Sequence, residues 1–338
     1  MKKKISINDI ANQLGISITT VSFILNGRAK EKRISEALVK KVMDFVQEVN
    51  YKPSSLARSL RTGKTNTIGL LVEDISDPFF SAIARSIEAN AYQNGYKIIY
   101  SSTGNDTEKA RELIMMYRER HVDGYIIVPP EGIEDDIRSL IDSGRPVVQI
   151  DRYATGVEAD YVVIDNERSA YTATQHLIDN GYKNVAFVTI DSKQPQMADR
   201  LLGYQKAIQA NGLNAVVEEV AYESSIQAMQ QLSGFLDKQP QLDAILFATN
   251  YLCVSGLKAM AARDHQMLQT MGIISFDDYE LFELHTPSIT SISQPTEQIA
   301  EHAINLLLTR LAQTDTDKTQ HKIELATSFM LRRSSLSK

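Results

Sequence analysis

From Thr67 onward the chain alternates apolar runs with segments of helical length, and few folds accept that pattern. TIGLLVE (67–73) is a continuous apolar run, and KIIYSS (97–102), DGYIIVPP (123–130), RPVVQID (145–151), NVAFVTI (184–190), DAILFAT (243–249) and TMGIISF (270–276) are further strand candidates. Runs of this kind belong to strands covered on both faces, as in a parallel sheet flanked by helices. Strands alternating with helices build βαβ units and a doubly wound sheet, in which ligands lie beyond the carboxyl ends of the strands. Residues 67–338 are long enough for two such lobes. YVVID (161–165) and SITSIS (288–293) are placed to cross between them, and a helix over 296–312 and a terminal strand near 323–332 complete them. The expected division puts residues 67–162 and 293–321 in one lobe, and 163–290 and 322–333 in the other.

Residues 1–53 have a different texture, that of an all-α module. Ser6 can cap a first helix, with Asp9 in the capping-box position and Ile7, Ile10, Ala11 and Leu14 as its apolar stripe; Gly15 stops it. Ser17 can cap a second helix that buries Val21, Ile24 and Leu25 while Ile18, Thr19, Ser22 and Phe23 face away. Two short helices joined this way form a helix-turn-helix, whose second helix lies in the DNA major groove. After the basic loop 27–33, Ser35 opens a third helix, where Leu38, Val42, Val46 and Val49 close a small core. Residues 54–61 could form two helical turns, too few to persist in water without a partner, and Thr62–Asn66 reads as a linker.

Charge separates the same two regions. Residues 1–64 hold 13 Lys/Arg against 5 Asp/Glu, a net of +8, while the remainder holds 23 against 37, a net of −14. A basic module at one end can neutralise phosphates although the whole chain is acidic. No run is apolar enough to span a bilayer, and the basic start lacks the apolar stretch of a secretory signal, so a cytoplasmic location is expected. Cys253 stands alone, which rules out an internal disulfide or a cysteine-cluster metal site, and no cofactor is expected. HExxH, GxSxG and GxGxxG are absent, and Gly63-Lys64-Thr65 lacks the first glycine of a phosphate loop because Arg58 occupies its place. An enzyme is therefore not expected.

Together, a helix-turn-helix, a conditional helix and a two-lobed α/β body make the chain resemble the lactose repressor/galactose repressor family of bacterial transcription regulators. The body of that family is similar to periplasmic sugar-binding proteins. The matching pieces are TTVSFILNG, NYKPSSLARSLRTGKTNTIGLL, DPFF (77–80), HVDGYIIVP (121–129), PVVQIDR (146–152), DRLLGY (199–204) and SFDD (275–278). The resemblance implies phosphate contacts from Ser17, Thr20 and Asn26, base-edge contacts from Ile18, Thr19 and Ser22, and places Ser6 and Ile7 at the DNA as well. Phe23 departs from the family's usual long polar residue, and a phenyl ring can meet only apolar groove features such as thymine methyls. The loop 28–33 is longer and more basic than the common pattern, readable either as a solvated charge run or as added phosphate contacts. Leu60 matches a leucine that wedges between base steps in the minor groove, with Leu56, Ala57 and Arg61 in the same hinge segment.

By the same resemblance, Asp165, Arg200, Asn250 and Asp277 hydrogen-bond a ligand in the interlobe cleft, with Phe79, Phe80 and Arg152 as walls. Polyols suit such a set, because charged planar groups bind neighbouring hydroxyls in pairs and aromatic faces cover apolar ring patches. Tyr251 stands where many relatives carry an acidic residue, and there is no tryptophan. The implied function is a cytoplasmic homodimeric repressor that binds a palindromic double-stranded operator. A small molecule, a sugar or sugar derivative, would control it allosterically. The alternatives are a DNA-binding protein indifferent to ligand and a sugar-modifying enzyme fused to a DNA-binding headpiece.

Overall fold

The computed structural model describes residues 5–51, 63–312 and 319–336. Contacts divide the chain into two units, Met1–Thr65 and Asn66–Lys338. The hinge residues Ala57, Leu60 and Arg61 lie outside the described residues.

Among the described residues, the first unit holds three helices: α1 (Ile7–Leu14), α2 (Ile18–Leu25) and α3 (Glu36–Glu48). The caps fall where the sequence puts them. Ser6 and Asp9 form a capping box, and Gly15 ends α1 in the left-handed region at φ 67°, where a residue without Cβ is unstrained. Ser17 Oγ accepts from the Thr20 amide at 3.0 Å and Ser35 caps α3. Ile10, Ala11, Val21, Ile24 and Val42 are buried together, with Leu14, Leu25, Leu38 and Val46 packed around them. A core this small leans on its caps, so Ser17→Ala is expected to cost the headpiece about 1 kcal/mol. Faster amide exchange confined to residues 18–25 of the full chain would register it; unchanged protection there would refute it.

The second unit holds two six-stranded sheets. The first consists of β1 (Thr67–Val72), β2 (Lys97–Ser102), β3 (Gly124–Ile127), β4 (Val147–Ile150), β5 (Asp160–Ile164) and β11 (Lys322–Leu325), in the order β11-β5-β4-β3-β1-β2 and parallel throughout. The second consists of β6 (Val185–Ile190), β7 (Val216–Val220), β8 (Ala244–Phe247), β9 (Gly272–Phe276), β10 (Thr290–Ser293) and β12 (Ser328–Met330), in the order β12-β10-β9-β8-β6-β7. Only β12 runs antiparallel, against β10. Central strands are buried along nearly their whole length, which is why they read as unbroken apolar runs.

Three expectations change. The single terminal strand near 323–332 is two strands, β11 in the first sheet and β12 in the second, because the chain crosses between lobes at Ala326 and Thr327. Residues 322–325 therefore belong with the first lobe, not the second; Val163 and Ile164 stay in the first sheet, and Ile292 and Ser293 in the second. The third change is β7, which the sequence reading lacks. It pairs only with β6 at a sheet edge, so Glu218 and Glu219 sit within it and break the apolar run.

Candidate functional site

On α2, Ile18 and Thr19 are exposed, Ser22 and Phe23 half-exposed, and Asn26 exposed at the helix end. Residues 18, 22 and 26 succeed one another one turn apart, with 19 and 23 on the adjacent row, so these side chains form a single face. Ile18 is 47% exposed, much surface for an isoleucine with no covering neighbour to leave to water. Ser17 and Thr20 share a hydrogen bond of 2.8 Å at the helix start, and Asn26 Nδ2 donates to the Ser22 carbonyl at 2.6 Å. Ser6 is engaged in its own cap, and Ile7 packs against the headpiece core.

In the body, a cavity of about 30 Å³ is lined by Phe79, Phe80, Arg152, Arg200, Asn250 and Asp277, six of the seven cleft residues expected. Local structure explains each position. Asp77 caps the helix Pro78–Gln93 by accepting from the Phe79 amide at 2.8 Å, and Pro78 preorganises its first turn, which delivers Phe79 and Phe80 edge to face at 5.0 Å. Thr249 caps the helix Asn250–Arg263 and so sets Asn250 at its start. Asp277 follows β9 in the left-handed region at φ 64°. Asp151 follows β4 in the same way at φ 67°. A non-glycine residue held there stores strain of order 1 kcal/mol, and both lobes spend it at the same point, the strand end facing the cleft.

Asp165 does not line this cavity. It precedes the helix Asn166–Asp179, and its carboxylate accepts from Ser169 Oγ at 2.8 Å, the Thr327 amide at 3.3 Å and the Arg168 guanidinium. Those bonds tie the β5 crossover to the β11–β12 crossover, and Asp165 lines an adjoining cavity of about 450 Å³ with Tyr153, Tyr161 and Asp199, which shares Asp151, Arg152 and Gln196 with the first.

The two cleft arginines differ in what they have left to give. Arg152 commits four of its five N–H groups within the first lobe, donating to the Pro129 carbonyl at 2.8 Å, Glu73 at 3.0 Å, Asp151 at 3.1 Å and Asn105. Arg200 donates to Asn166 Oδ1 at 2.8 Å and the Ala248 carbonyl at 2.6 Å, and its guanidinium lies 4.1 Å over the Phe276 ring. Sequence reasoning missed Glu73, Asp77, Asp151, Gln196 and Tyr251 as lining residues. The signal was available: Asp151 and Asp77 each adjoin a strand end or helix start that the pattern already located.

Burial dominates the titration of the cleft acids. It pushes Asp77 up against hydrogen bonds from Phe79 and Asn250, pushes Asp277 up against the pull of Arg200, and raises Asp151 to about 6 against the pull of Arg152 and Arg200. A carboxyl raised from 3.8 to about 6 on folding favours the native state while protonated, and that contribution is lost as pH climbs through this window. Asp151→Asn is therefore expected to remove a fall of about 2 kcal/mol between pH 4 and 6.5. Urea midpoints of both proteins across that range check it, and parallel profiles would refute it.

Comparison with known proteins agrees with this geometry. The family model for bacterial regulatory proteins of the lacI family matches residues 6–54, and that for a periplasmic binding protein-like domain matches 174–335. The HTH-type transcriptional repressor PurR of Vibrio vulnificus is 30% identical over 93% of this chain and 94% of its own length. The chain belongs to the lacI family of bacterial regulatory proteins. This lacI-family chain is thus a helix-turn-helix transcriptional repressor. The Lac repressor dimer bound to operator and an anti-inducer shares its fold over 99% of this chain and all of that one, with a TM-score of 0.86 at 20% identity. A lacI-family regulator from Enterococcus faecium with bound ribose covers 80% of this chain and 99% of its own, with a TM-score of 0.71 at 24% identity. Among the described residues, no helix of this lacI-family repressor is long and apolar enough to cross a membrane.

Proposed function

We propose that the chain acts in the cytoplasm as a homodimer whose operator affinity is set by a neutral, donor-rich polyol of the sugar class held between the lobes, by binding and without turnover. In this reading α2 enters the major groove, with Ile18, Thr19 and Ser22 at base edges and Ser17, Thr20 and Asn26 at phosphates. The observation that carries the effector assignment is the convergence of Arg200, Asn250, Asp277 and the Phe79–Phe80 pair on one cavity at the strand ends of both lobes. Charge narrows the class. The cavity is lined by four carboxylates, on Glu73, Asp77, Asp151 and Asp277, against two guanidiniums, and Arg152 already donates four of its five N–H groups within the first lobe. Gln196 adds a buried Oε1 without a donor among the described residues. Acceptors in excess favour a ligand that donates and disfavour a phosphorylated one. The ribose bound by the Enterococcus faecium relative is of that class.

A cavity of about 30 Å³ has room for about a single water, so ligand entry requires the lobes to part. The contacts that must open include Glu131 of the first lobe, which accepts from the Lys193 amide of the second at 3.0 Å, and Asn105 of the first, whose Oδ1 accepts from Gln194 Nε2 of the second at 3.4 Å. Fluorescence anisotropy on duplexes from upstream of the chain's own gene, with and without neutral sugars, sugar phosphates and nucleobases, tests the proposal. A neutral sugar that shifts operator affinity supports it, and the direction of the shift distinguishes inducer from corepressor. A shift produced only by a phosphorylated compound overturns the class. Operator binding that no compound moves overturns effector control and favours the ligand-indifferent reading.

A further inference from the structure

The anomaly on the DNA-reading face is Phe23, and the way α2 ends explains it. Gly27 is left-handed at φ 70°, its amide donates to the Ile24 carbonyl at 3.1 Å, and the Arg28 amide donates to the Phe23 carbonyl at 2.9 Å. That pair of bonds is a Schellman motif, in which the residue after the glycine packs its side chain on the residue five before it. An apolar pair usually fills those places. Here they hold Arg28 and Phe23, so the helix stop itself brings the guanidinium over the ring, 5.8 Å from its centroid. The following turn, closed by the Lys32 amide on the Arg28 carbonyl at 3.1 Å, brings Lys32 Nζ to 5.3 Å from the same centroid. Glu31 grips Arg28 through Nε and Nη2, both at 2.7 Å, which fixes the guanidinium plane and leaves Nη1. Phe23 is absent from the packed headpiece core, so its ring is not needed to hold the three helices together.

We propose that Phe23 is a positioning residue whose ring holds Arg28 and Lys32 as a two-cation clamp for the DNA backbone beside the recognition helix. The aromatic face attracts both cations and limits the positions they sample, so less ordering remains to be done when phosphate arrives. Position 23 then acts through the loop, and the loop 28–33 is a backbone contact more than a solvated charge run. The inference rests on the headpiece alone and does not depend on the effector reading.

The test is the salt dependence of full-length chain binding to a 30-base-pair duplex of mixed sequence, since each phosphate neutralised by the protein steepens log K against log[KCl] by about 0.9. Arg28→Ala and Lys32→Ala are each expected to flatten the slope by about one. Phe23→Leu, which keeps an apolar side chain but has no ring, should flatten it as well, and Phe23→Trp should retain the wild-type slope. Lys30→Ala removes a charge from the same loop that is not on the ring, and its slope should change less than that of either clamp variant. Unchanged slopes for Arg28→Ala and Lys32→Ala would overturn the clamp. So would a wild-type slope in Phe23→Leu, or a Lys30→Ala slope as flat as theirs. Circular dichroism melts of each variant verify that the headpiece remains folded.

Discussion

Gly203→Ala is expected to destabilise the second lobe by about 3 kcal/mol or more and to abolish effector response with it. The helices Asn166–Asp179 and Pro195–Ala210 meet at this glycine. A Cβ built there would stand 2.1 Å from the Glu167 carbonyl oxygen and 2.9 Å from both Ala170 Cβ and the Tyr171 amide nitrogen. Two of those three atoms are backbone, which cannot rotate out of the way as a side-chain end can, so the helices must separate. Gly203 lies one turn after Arg200, whose Nε reaches across the same interface to Asn166 at 2.8 Å. Separating the helices therefore loosens a cleft arginine as well as the packing. Urea unfolding followed by far-ultraviolet circular dichroism is the check, and a midpoint within error of wild type would refute the argument.

Gly203 also shows what a single sequence conceals. The alternation of apolar runs with helical segments located the central strands because each is buried on both faces, and burial leaves its mark in composition. Edge strand β7 left no such mark, since all its residues but Val220 are at least partly exposed. Which sheet a terminal strand joins is likewise not local information: Lys322–Leu325 and Ser328–Met330 read as one segment, and only the crossover at Thr327, tied to Asp165, divides them. Asp165 was expected in the cleft by resemblance, at a strand end where the fold puts ligands, yet its carboxylate is turned to that crossover. Asp151 also follows a strand, and in the left-handed region it lines the cavity shared with Arg200, Asn250 and Asp277. Strand ends are legible in sequence; the dihedral that aims the next side chain is not. The headpiece was more legible because caps, stops and apolar stripe all act within a few residues. Even there, the meeting of Phe23 with Arg28 and Lys32 depends on the handedness of one glycine.

Arg200→Ala is the second large effect, and its size should depend on pH. Arg200 is 2% exposed, and its charge holds down the pKa of both Asp151 and Asp277, which burial pushes up. Removing one partner of a buried charge group leaves the others uncompensated, a loss of about 3–5 kcal/mol. At pH 8 both carboxylates must remain ionised without the guanidinium, or take up protons against the gradient, and the full loss is expected. At pH 5 Asp151, already raised to about 6 with Arg200 present, is protonated in the folded chain, and less charge is left stranded. The destabilisation should therefore shrink on acidification, and Asp277→Asn added to Arg200→Ala should restore part of the stability at pH 8, because it deletes one of the two stranded charges. Urea midpoints of the single and double variants at both pH values decide the matter. Equal losses at pH 5 and pH 8 would mean that Arg200 stabilises the lobe through its bonds to Asn166 and Ala248 and its stacking on Phe276, and not by balancing the acids. The functional consequence separates the same way: on the charge-balance account, the ligand-free double variant keeps operator affinity, since the headpiece is untouched, but no longer responds to the effector because the donor facing the ligand is gone.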